Sequence, residues 1–69
     1  MYLIGKKFKY KHIGLVHVIG VFPDYDKDMN VTEVVIYKYW RKIKQCWQYE
    51  CEPEKLFGLG IEMGIIKKV

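Results

Sequence analysis

Charge and aromatic side chains alternate at period two through Lys6-Lys7-Phe8-Lys9-Tyr10-Lys11, which predicts a strand with one wet and one buried face, Phe8 and Tyr10 pointing inward. After His12-Ile13-Gly14, the run Leu15 to Phe22 is apolar on both faces, interrupted by His17 and Gly20. That pattern predicts a central strand covered on each side. Pro23 to Asn30 reads as a polar loop. Val31 to Trp40 follows, with a β-forming centre at Val34-Val35-Ile36-Tyr37. A helix is the alternative over residues 31–44, because Asn30 and Glu33 resemble an N-terminal capping box and Val35, Tyr39, Ile43 and Trp47 recur every fourth residue. The β-branched run favours a strand, although a hairpin through 41–45 lacks the Gly, Asn or Asp that tight turns prefer.

Alternation returns in Trp47-Gln48-Tyr49-Glu50-Cys51, placing Trp47, Tyr49 and Cys51 on one face of a further strand. Pro53 suits a first helical position and Gly58 a stop, so a short helical turn is predicted near residues 53–57. Gly58-Leu59-Gly60 reads as a flexible joint and Ile61 to Val69 as a last strand with a solvated lysine end. Together these elements predict a mainly β fold, a small SH3-like barrel of about five strands forming one domain over residues 1–69. Its core is expected to use Phe8, Tyr10, Val16, Val18, Val35, Tyr37, Trp47, Tyr49 and Phe57.

Size and composition sharpen this picture. A chain of 69 residues removes roughly 60% of its unfolded surface from water, so it depends on dense packing or self-association. With 51% apolar and 16% aromatic residues, some apolar surface is left for a partner, and a homodimer or higher oligomer is expected. Neither Ala nor Ser occurs, which favours strands and removes serine nucleophiles. Met1 to Lys7 reaches a lysine pair without a long apolar run, so neither a signal peptide nor a membrane span is expected, and the location is read as cytoplasmic.

Tyr10-Lys11-His12 with Gly14 and Val18, then Thr32-Glu33-Val34-Val35-Ile36-Tyr37, then an aromatic, Pro53 and Phe57 resemble a bacterial and phage family catalogued as domain of unknown function sixteen-fifty-three. The similarity covers roughly residues 8–57. It implies a small β-barrel and a bacterial or phage setting, and it carries no activity. Glu52 stands where that family has an arginine before the proline, so no role of that arginine passes to this chain.

Candidate chemistry is sparse. Asp24, Asp26 and Asp28 alternate like the first calcium ligands of an EF-hand, but Met29 stands where the loop needs Gly and Val35 where it needs Glu. Cys46, Cys51, His12 and His17 match zinc in number and not in spacing. Five extended residues span about 16 Å and put Cys46 and Cys51 on opposite faces, so reduced, buried thiols are expected. Cys51 and His12 form a nucleophile and base only if folding joins them. Gly58-Leu59-Gly60 lacks the strand before it and the lysine after it that a phosphate loop requires. No enzyme activity, catalytic residue, metal or cofactor is predicted.

What remains is binding. Lys6, Lys7, Lys9 and Lys11 form one basic patch, Lys38, Arg41, Lys42 and Lys44 a second, in a chain of net charge +4. Tyr37, Tyr39, Trp40 and Trp47 lie among or beside the latter. The residues expected to bind are Lys9, Lys11, Tyr37, Tyr39, Trp40, Arg41, Lys42, Lys44 and Trp47. Tryptophan, tyrosine and arginine dominate protein contacts, which suggests a module that occupies a site on a host protein. The alternative is an anionic ligand, a nucleotide or single-stranded nucleic acid, held by cations among exposed aromatics.

Overall fold

A computed structural model describes residues 3–69; Met1 and Tyr2, the start of the segment read for a leader, lie outside the described residues. The described residues fold as five antiparallel strands and one helix: β1 (Lys7–Tyr10), β2 (Gly14–Tyr25), β3 (Val31–Arg41), β4 (Cys46–Pro53), α1 (Glu54–Glu62) and β5 (Ile66–Lys68). The strands form a single sheet in the order β4-β3-β2-β1-β5. The mainly β class is as expected, and the ambiguous Val31 segment is a strand paired on both sides.

The sheet does not close into a barrel. β4 and β5 are the two edges, and α1 connects them while packing against β3, β4 and β5 on one face. A three-residue β5 offers too little ladder to seal the gap. The result is two layers, helix on sheet, with the second sheet face open.

The core lies under the helix. Phe8, Val16, Val18, Val35, Tyr37, Phe57 and Ile66 are buried, and the Phe57 ring meets Phe8 edge-on at 5.4 Å and Tyr37 at 6.0 Å. T-shaped and tilted ring pairs of this kind add about 0.5–1.5 kcal/mol beyond their burial. Tyr10 is half-buried, 6.4 Å from Phe57, and its hydroxyl donates to the Glu52 carboxylate at 3.0 Å.

Several expectations are corrected here. Trp47 and Tyr49 are not core residues, because β4 turns them to the open face, where they are 41% and 56% exposed. Ile66 takes part in the core instead. The thiols of Cys46 and Cys51 are free and exposed, not buried. Residues 58–60 are helical, with Gly60 buried where α1 crosses β5: a Cβ there would lie 2.7 Å from Ile66 Cδ1. β2 runs on through Pro23 to Tyr25, which shortens the expected loop to Asp26–Asn30. Proline is tolerated because β1 pairs with Gly14–His17 alone, leaving the far part of β2 an open edge. No helix among the described residues is long and apolar enough to cross a membrane.

Candidate functional site: the open sheet face

Directly opposed residues of antiparallel strands share a face, so register assigns the open face. His17 opposes Lys7 on one side and Lys38 on the other, and Lys38 opposes Tyr49. A transverse row Lys7–His17–Lys38–Tyr49 therefore crosses four strands. Beside it, Lys9 opposes both Leu15 and Lys67, and Trp40 opposes Trp47. The aromatic end is a packed group: Trp40 and Trp47 meet edge-on at 5.4 Å, His17 meets Trp47 edge-on at 5.6 Å, and Lys38 Nζ sits 4.4 Å from the Trp47 ring centre. A cation over an indole face is worth about 0.5–1 kcal/mol at an exposed site.

A bulge shapes the rest of this face. Register slips between Val18 and Gly20, so inward positions pass from Val16 and Val18 to Val21, and Phe22 is turned out with its ring over Gly20. This explains the doubly apolar run of β2. One side lies under the helix, while Leu15, Ile19 and Phe22 are exposed, not covered as the sequence pattern suggested.

Charges are sorted between the faces. Among the described residues, the eight acidic ones occupy α1 (Glu54, Glu62), helix-side strand positions (Glu33, Glu50, Glu52) or the β2–β3 end (Asp24, Asp26, Asp28). Asp24 is the one on an open-face strand position, at the far tip of the β2–β3 ribbon. Lys7, Lys9, Lys38 and Lys67 stand on the open face with no carboxylate between them. Asp26 has a structural use: its Oδ1 accepts the backbone N–H groups of Asp28 and Asn30 at 2.9 Å, closing the turn. No three His, Cys, Asp or Glu side chains converge among the described residues as a metal site requires.

At one end of the face, the turns after β1 and β3 flank a cleft of about 680 Å³. His12, Ile13, Gly14, Leu15 and His17 form one wall, Tyr39 to Ile43 the other, and Trp47 contributes from β4. Of the residues expected to bind, Tyr39, Trp40, Arg41, Lys42 and Trp47 come together here. Lys44 is exposed in the neighbouring turn. Lys9 and Lys11 line a separate hollow of about 330 Å³ with Gly64, Ile65 and Lys67. Tyr37 is not with them: it is 5% exposed, in the core, and burial first, then the nearby Glu52 charge, push its hydroxyl well above the usual phenol range. Tyr10 is raised too, by burial first, then by the hydrogen bond it donates to Glu52 and by that carboxylate's charge.

Sequence reasoning missed His12, His17, Leu15 and Lys67 as companions of this surface. For His17, Leu15 and Lys67 the signal lies in strand register, which joins residues up to fifty-odd positions apart, while His12 enters from the turn after β1. No family model, curated protein or solved structure matches the chain.

Proposed function

We propose that the open sheet face binds single-stranded nucleic acid without enzymatic action. The observation that carries this reading is the coincidence, on one face, of lysines free of carboxylate neighbours with Trp40, Trp47 and Tyr49 exposed among them. Lysines attract the phosphates, and each exposed ring can stack a base for about 1–3 kcal/mol. An open antiparallel sheet face suits a strand whose bases are splayed onto it.

The exposed Leu15, Ile19 and Phe22 favour a second reading, a module that occupies a site on a partner protein. Salt separates the two. For a fluorescent oligothymidylate titrated with the protein, four phosphate contacts from Lys7, Lys9, Lys38 and Lys67 give a log–log slope against salt of about −3. Tryptophan fluorescence should be quenched on binding. Failure to bind, or an affinity indifferent to salt, rejects the nucleic-acid reading and leaves the protein-binding one.

A further inference from the structure

The helix has an exposed flank that nothing among the described residues covers. Phe57 and Gly60 face the sheet, and a turn of about 100° per residue gathers Leu56, Leu59 and Met63 into one stripe along the flank beside Gly60, about 100–160° round the helix from Phe57. These three are 55%, 48% and 65% exposed. Lys55 and Glu62, seven residues apart, both flank this stripe on the same side, one at each end.

We infer that a second copy of this chain docks here, α1 against α1, antiparallel about a two-fold axis at Leu59. Three observations point to a copy and to this orientation. The stripe is self-complementary, since an antiparallel pair centred on Leu59 sets Leu59 on its twin and the Leu56 end beside the Met63 end. Same-side flanking residues meet each other in antiparallel helix pairs, so Lys55 of each copy meets Glu62 of the other, twice by symmetry. A parallel arrangement would lose both pairs. The open sheet face stays free in this dimer because α1 covers the opposite side.

A helix of nine residues is about 14 Å long, so the interface falls in the small class below about 1,200 Å² and the dimer is weak, with a dissociation constant on the order of 100 μM.

Sedimentation velocity on the full chain from roughly 10 μM to 1 mM brackets that constant. A monomer–dimer equilibrium is expected. Leu59→Asp should abolish it; the position is half exposed, and circular dichroism checks that the fold is retained. Lys55→Glu and Glu62→Lys should each weaken the dimer by about tenfold, since each sets like charges together twice. The double swap should return it to within about threefold of the parent. A monomer throughout the range overturns the inference. So does a dimer indifferent to Leu59→Asp, or one in which the double swap is no better than the single reversals.

Discussion

The two faces of the sheet are made by the same strands and carry comparable numbers of large apolar side chains, yet they use them in opposite ways. Under α1, Phe8, Tyr37 and Phe57 interlock and are shut away from water. On the other side, Trp40 and Trp47 touch each other, Lys38 sits over Trp47, and these rings remain open together with Tyr49. The difference arises from one nonlocal event, the placement of a nine-residue helix. Hydrophobicity states how much apolar surface a strand has; the helix decides which part becomes core and which becomes a binding surface. Charge follows the same division, with helix-side glutamates and open-face lysines, so the two faces should respond to substitution in different observables.

The largest effect belongs to the covered face. Phe57→Ala removes the ring that all the core aromatics share and should cost about 3–5 kcal/mol. A 69-residue domain has roughly 3–10 kcal/mol in all, so thermal denaturation should show this variant largely unfolded. Trp47→Ala tests the other face. It should leave stability within about 1 kcal/mol of the parent while weakening oligonucleotide binding roughly ten- to hundredfold. If Trp47→Ala unfolded the chain instead, or left binding untouched, the division between the faces would not hold as drawn.

The buried phenols give a test in pH. Tyr10 and Tyr37 hold their protons more tightly folded than unfolded, because burial and the Glu52 charge oppose ionisation. Below pH about 10 the phenols are neutral in both states and their stabilisation is complete; as pH rises through the raised folded values it is lost. Urea denaturation from pH 8 to 11.5 should therefore show stability falling at the alkaline end. Tyr37→Phe, which has no proton to lose, should flatten that fall. An equally steep decline in Tyr37→Phe would assign the loss to other groups.

How far the sequence foretells this molecule depends on whether a feature is local. Period-two alternation turns Phe8 inward because β1 carries that information within itself, and Val16, Val18 and Val35, expected in the core as parts of strongly apolar, β-forming runs, lie there. Alternation separates two faces without saying which is covered, so Trp47 and Tyr49 look like core in the sequence. The single extra residue at Ile19 reverses inside and outside along the rest of β2, and no residue type announces it. Among the binding candidates, Trp40, Arg41, Lys42 and Trp47 were legible from composition around the β3–β4 turn. Lys7, Lys9 and Lys67 could be joined to Lys38 by strand order alone, whereas Tyr37, expected both in the core and among the binding residues, belongs to the core.

The smallest effect concerns how the covering helix is held, and it contrasts two glycines of α1. Gly58 has nothing within 4 Å of where a Cβ would stand, whereas at Gly60 a Cβ would lie 2.7 Å from the buried Ile66 side chain. Alanine costs about 1 kcal/mol less than glycine in a helix interior, so Gly58→Ala should stabilise the domain by about 0.5–1 kcal/mol. At Gly60 a larger side chain must move Ile66 or lift α1 from β5; Gly60→Val should destabilise by about 1–3 kcal/mol. Urea midpoints of the two variants, moving in opposite directions from the parent, would locate the close crossing of helix and sheet at Gly60. Midpoints moving together would show that Gly60 serves the helix as Gly58 does, and that α1 can rise from β5 without loss.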